Sequence, residues 1–159
     1  MQQSVTLDSQ DLAIVSALQE NGALTNAELA ERVRLSPSQS SRRRTRLEES
    51  GVIRGYRAEI DPLRVGLGVT VYIQVTLATH SGQNAKRFRE LVARTPTILE
   101  AHALTGDADY LVKVVVEDLP ALGALVNQVL LPHESVARVR SNIVLETLKQ
   151  GGKLPIGGR

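Results

Sequence analysis

Apolar positions follow helical spacing in the first third of the chain and strand spacing from Val69 onward. Residues 9–21 carry Leu12, Val15 and Leu18 on one stripe, with Ile14 beside it, which predicts a first helix. Asp8 stands at its N-cap and Gly22 where a left-handed cap would end it. Thr25-Asn26-Ala27-Glu28 has capping-box spacing and predicts a second helix with Leu29 and Val33 inward. Ser36-Pro37 places an N-cap before a proline at the first helical position, predicting a third helix over 37–50 that stops at Gly51. Residues 52–60 mix β-forming side chains with arginine and predict a hairpin or extended wing.

Val69, Val71, Ile73, Val75 and Leu77 then alternate with Thr70, Tyr72, Gln74 and Thr76, the period of a half-buried strand. A helix follows over 82–94, with Ala85, Phe88, Leu91 and Val92 inward. Strands over 97–104 and 110–116 flank a turn, Thr105-Gly106-Asp107-Ala108-Asp109. Asp118 caps a further helix carrying Leu122, Leu125, Val126 and Val129, and residues 136–148 read as a last strand.

The fold class predicted is α+β: a winged helix-turn-helix, then a ferredoxin-like βαββαβ domain. The expected boundaries are 1–61 for the first domain, 62–68 for a linker and 69–149 for the second, with 150–159 as a flexible tail. Leu111, Val112, Val114, Val115 and Val116 make the third strand apolar on both sides. That predicts a sheet buried against a second copy of the chain.

Charge sharpens the reading of the third helix. Eight arginines and two acids lie between Arg32 and Arg57, a window of +6, whereas residues 1–31 hold five acids and no lysine or arginine. The whole chain carries only +2, so the segregation is what points to a polyanion. Ser40, Arg44, Leu47 and Gly51 share one side of the third helix, marked as core-facing by Leu47. Arg44 is the irregular member of that set, and snorkelling along its stem would carry it to the helix edge. The opposite side offers Ser38, Gln39, Ser41, Arg42 and Thr45 to base edges in a major groove. Arg43 and Arg46 on the flank, and Arg54 and Arg57 on the wing, are placed for phosphates.

The residues Leu7-Asp8, Leu35-Ser36-Pro37-Ser38, Arg43, Arg46-Leu47-Glu48, Gly51-Val52-Ile53, Gly55-Tyr56, Gly106-Asp107 and Asp109-Tyr110-Leu111 closely resemble the Lrp/AsnC, or feast-famine, regulators of transcription. The resemblance spans residues 7–149. It implies a DNA-binding transcriptional regulator that forms homodimers, often assembled into octamers, and answers to a small effector, commonly an amino acid. Carried onto this sequence, the effector site is the turn Thr105, Gly106, Asp107, Ala108 and Asp109, with Tyr110 adjoining. An acidic turn with free amides suits the ammonium and carboxylate of an amino acid; the same residues also serve as ordinary hairpin formers. Two positions depart from the family pattern, Arg44, where an aliphatic residue is usual, and Ser41, where a larger one often stands.

Other classes fare worse. The chain has no cysteine, which excludes thiolate chemistry and fits a cytoplasmic protein. His80, His102 and His133 have no metal-ligand spacing, and no phosphate-cradling glycine loop occurs, so no metal, cofactor or catalytic residue is expected. No run approaches the ~20 apolar residues of a membrane helix. A ligand-binding or interaction module that does not read DNA, and a ferredoxin-like enzyme using Asp107 and Asp109, are the alternatives.

Overall fold

The computed structural model describes residues 6–156. They divide into two compact units, one holding residues up to Glu59 together with those from Lys149 onward, the other Ile60–Leu148. The division falls just before the linker expected at 62–68, where Leu63–Val65 form a single tight turn closed by Gly66 at φ 81°.

The first unit is three helices: α1 (Ser9–Glu20), α2 (Asn26–Val33) and α3 (Pro37–Glu49). Each begins at a reciprocal capping box, Asp8 with Asp11, Thr25 with Glu28, and Ser36 with Gln39. All three N-caps were therefore legible, and those at Asp8 and Ser36 are stronger than lone N-caps because Asp11 and Gln39 reciprocate. Ile14, Ala17, Leu18, Leu29 and Leu47 form the core, with Val33, Leu35, Val52 and Ile53 packed around it. The buried stripe of α1 is Asp11, Ile14, Ala17 and Leu18, so Ile14 and Leu18 are buried as expected while Leu12 and Val15 are half-buried and Asp11 and Ala17 take their places. Gly22 is not left-handed; a Cβ there would lie 3.1 Å from the Tyr56 ring, so the glycine makes room for an aromatic side chain. The left-handed residue is Arg34, at φ 55° and ψ 46°, which ends α2 and sets the short turn into α3. Its neighbour Leu35 donates its N–H to Ala30 O at 3.0 Å, closing a Schellman-type cap.

Residues 52–60 form no strand or hairpin, so the wing expected there is irregular chain that follows a bend at Val52 and Ile53. Its β-forming side chains have no neighbouring strand to complete a ladder, and Val52 and Ile53 instead pack on the helical core. Of the tail expected over 150–159, whose last three residues lie outside those described, Lys153 and Leu154 bind α1. Leu154 N–H donates to Gln19 Oε1 at 2.6 Å, Gln19 Nε2 returns a bond to Leu154 O at 3.4 Å, and Lys153 pairs with Glu20 at 3.0 Å.

The second unit follows the split βαβ plan: β1 (Val69–Leu77), α4 (Gly82–Arg94), β2 (Ile98–Ala103), β3 (Tyr110–Val116), α5 (Leu119–Ala124) and β4 (Val136–Ile143). The strands lie in the order β2-β3-β1-β4, antiparallel throughout. Val71, Ile73 and Val75 on β1 and Val112, Val114 and Val116 on β3 pack with Phe88, Leu122, Leu125 and Leu130. After Ala124 the helix widens to i→i+5 bonding over Leu125–Leu130, which brings both of those leucines into the core.

The other sheet face is more polar than expected. Register places Thr70, Tyr72, Gln74 and Thr76 of β1 beside Leu111, Lys113 and Val115 of β3 and Arg138, Arg140 and Asn142 of β4. The apolar character of β3 therefore extends only to Leu111 and Val115 on that side, interrupted by Lys113, which pairs with Glu100 at 3.1 Å.

Candidate nucleic-acid interface and effector turn

The first helix of the protein grips the third through charge. Asp11 is fully buried, and Arg43 Nη1 donates to its Oδ1 at 2.8 Å and to Asp8 Oδ2 at 2.7 Å. Arg46 Nη2 donates to the other oxygen of Asp11. The Asp11 N–H, and then the Arg43 guanidinium, hold the Asp8 carboxyl below its usual range. Arg43 is correspondingly held above its own. Both arginines were expected on phosphates, whereas here their guanidinium groups are engaged by acids of α1.

Arg44, the irregular residue of the core-facing side, is a tie rather than a misplaced charge. Its Nη1 donates to Leu24 O at 2.9 Å, its Nε to Glu48 at 3.1 Å, and its guanidinium lies 4.8 Å from the centre of the Tyr56 ring. The Tyr56 hydroxyl donates to the same Glu48 at 2.8 Å and, with Arg44, lowers the Glu48 pKa. Arg44 thus links the loop before α2, the body of α3 and the segment after it. Asp11 and Tyr56 escaped the reading of the sequence; the signal for the former was an acid-rich first helix preceding an arginine-rich third.

The expected reading side is largely open. Ser38, Gln39, Arg42 and Thr45 are exposed and Ser41 is half-buried. Gln39 is committed to the cap, where Ser36 N–H and Oγ donate to its Oε1 at 3.2 and 3.0 Å. Ser41 Oγ accepts from Asn26 Nδ2 at 3.4 Å. Among the described residues Arg42 has no ion pair, the only α3 arginine of which that is true. Arg54 and Arg57 are exposed on the irregular segment after α3.

In the second unit the turn between β2 and β3 is shaped by Gly106, at φ 139°, a conformation that favours glycine. Thr105, Gly106 and Asp107 are exposed; Ala108, Asp109 and Tyr110 are half-buried. The two acids differ. Asp109 Oδ2 accepts from Leu77 N–H at 2.7 Å, and its Oδ1 lies 3.1 Å from His80 Nδ1, so this carboxylate fastens the turn to the end of β1. Asp107 has no ion pair among the described residues. Tyr110 packs its ring 4.6 Å from that of Phe88. The two line an open cavity of about 320 Å³ with Arg89, Val92, Ala93, Ala101 and Ala103.

Comparison with known proteins accounts for both units. Residues 7–54 match the winged helix-turn-helix DNA-binding family and residues 70–154 match the Lrp/AsnC ligand binding domain. The leucine-responsive regulatory protein of Rhizobium meliloti is 36% identical over 96% of this chain and 97% of its own length. That of Escherichia coli is 35% identical, over 96% and 93%. A transcriptional regulator of Neisseria meningitidis, solved in complex with L-Met, superposes with a TM-score of 0.91 at 40% identity, covering 94% of this chain and 97% of that one. An AsnC family regulator of Agrobacterium tumefaciens gives 0.87 at 37% identity, over the same shares. The capped helix-turn-helix, the arginine-bearing third helix and the four-stranded ligand-binding fold thus belong to a DNA-binding regulator of transcription, and the chain is a member of the Lrp/AsnC family.

Proposed function

We propose that this regulator binds an amino acid with an apolar side chain at the turn Thr105–Tyr110, and that the bound effector tunes how its assemblies engage duplex DNA. The cavity beside Tyr110 carries the proposal. It is walled by Phe88, Val92, Ala101 and Ala103 and adjoins a turn with an unpaired carboxylate at Asp107. Apolar walls accept a side chain while Asp107 and the amides around Gly106 meet the charged ends. The Neisseria meningitidis relative, held with L-Met, supports the same ligand class.

On the DNA side, Ser38, Ser41, Arg42 and Thr45 of α3 face the bases, and Arg54 and Arg57 contact the sugar-phosphate backbone. The chain acts as a homodimer or an assembly of dimers, in the cytoplasm, without catalysis. Tyr72, exposed, and Leu111, half-buried, on the sheet face away from the helices supply the apolar part of a subunit contact. Among the described residues no helix is long and apolar enough to cross a membrane.

Thermal unfolding in the presence of Met, Leu, Ala, Asp and Lys tests the effector. A ligand at a hundred times its dissociation constant adds ~2.7 kcal/mol, a shift of several degrees. Met or Leu is expected to give that shift and Gly106→Val to remove it. No response to any amino acid sinks the proposal.

A further inference from the structure

The charge of the third helix is mostly spoken for. Arg43 is held by Asp8 and Asp11, Arg46 by Asp11, and Arg44 by Glu48 and the Leu24 carbonyl. Arg43 keeps only 22% of its side-chain surface and Asp11 1%, so this pair sits inside the unit, while Arg46 remains 52% exposed. A guanidinium that left Asp11 for a phosphate would strand a buried carboxylate. Arg42 lines a shallow cleft with Asp8, Arg43 and Arg46 but has no acid of its own.

We propose that Asp8 and Asp11 withhold Arg43 and Arg46 from the DNA backbone, so that Arg42 is the working cation of α3 and Asp11 is a positioning residue that limits backbone-driven affinity for any duplex. The inference rests on α3 being the DNA-facing helix and concerns which of its charges act there. Each phosphate neutralised adds about 0.9 to the slope of log affinity against log salt, for any sequence. Two withheld arginines therefore lower affinity for every duplex alike. The contacts to base edges, which carry discrimination, are untouched. Between about 50 and 200 mM salt one such contact changes affinity about 3.5-fold and two about 12-fold. Those factors are the amounts by which the advantage of a variant with freed arginines should grow as salt falls from about 200 to about 50 mM.

The test uses the full chain, a duplex selected by the protein from a random library, and a shuffled duplex of the same composition, each titrated across salt concentrations. Arg42, whose guanidinium is taken to reach a phosphate as well as a base edge, is expected on replacement with Ala to reduce the slope by about 0.9 per bound protomer and to narrow the gap between the two duplexes. Arg43→Gln is expected to leave the slope at its wild-type value, whatever it costs the fold. Asp11→Asn is expected to steepen the slope and to raise affinity for both duplexes, by a factor that itself grows about 3- to 12-fold from about 200 to about 50 mM salt. Asp8→Asn, which keeps a competent N-cap, moves both readouts the same way by less and serves if Asp11→Asn does not fold. An Arg43→Gln slope that falls as far as that of Arg42→Ala overturns the inference alone, as do Asp variants with unchanged slope and shuffled affinity. A wild-type chain whose affinity ignores salt overturns the α3 interface and the inference with it.

Discussion

Replacing Arg34 with glycine should stabilise the helical unit, although it deletes a surface charge and adds backbone freedom. Arg34 is the only non-glycine residue described with a positive φ, at 55°, and it joins α2 to α3. A left-handed conformation costs an L-residue about 1–2 kcal/mol, because Cβ crowds the following carbonyl. Glycine removes that cost but loses about 0.4–1 kcal/mol through the greater entropy of the unfolded chain. The difference is a net gain of about 0.5–1 kcal/mol, or roughly a two- to five-fold slowing of amide exchange where exchange requires the unit to unfold. Native-state hydrogen exchange at Leu29, Ala30 and Leu47, all buried, reports this unit without interference from the other. Arg34→Ala keeps the Cβ and loses the guanidinium, so its exchange should match wild type. Faster exchange in Arg34→Gly, or equal slowing in Arg34→Ala, would refute a backbone origin for the effect.

Two more outcomes follow from the same unit. Ser40 is fully buried and its hydroxyl has no partner, so Ser40→Ala should stabilise by about 1 kcal/mol, measured as a raised denaturation midpoint; a loss of stability would show that the hydroxyl is satisfied in solution. Asp8, Glu28 and Glu48 all have lowered pKa values, through the Asp11 amide, the Thr25 amide and the Tyr56 hydroxyl respectively. A depressed carboxyl pKa gives stability that is complete above its unfolded value and lost as pH falls through the folded one. Helical circular dichroism should therefore hold from neutrality to the upper edge of the carboxylate range and decline below it; a decline beginning above that edge would point to other groups.

What the sequence disclosed was governed by local rules. Thr25-Glu28 and Ser36-Pro37 mark helix starts because their partners lie within four residues, and the alternation from Val69 to Leu77 needs only one sheet face to be dry. The order of elements, and with it the ferredoxin-like plan, followed from such signals, as did the open side of α3. Long-range compensation was not legible. Asp11 is only one of five acids in the first 31 residues until Arg43 and Arg46 meet it from 32 and 35 residues away. Arg44 appeared misplaced until Leu24, Glu48 and Tyr56 surrounded it. Residues 52–60 have strand-forming side chains but no strand beside them, and pairing partners cannot be read from propensity. Likewise the acids of the effector turn looked equivalent, and only the Leu77 amide separates Asp109 from Asp107.

Lys153 and Leu154, seated on Glu20 and Gln19, make the helical unit discontinuous in sequence. During synthesis its three helices emerge early, yet this part of α1 stays bare until more than a hundred further residues have been translated. A tag or proteolytic nick placed after residue 148 therefore lands on the DNA-reading half of the molecule, however far away it looks on a map of the gene.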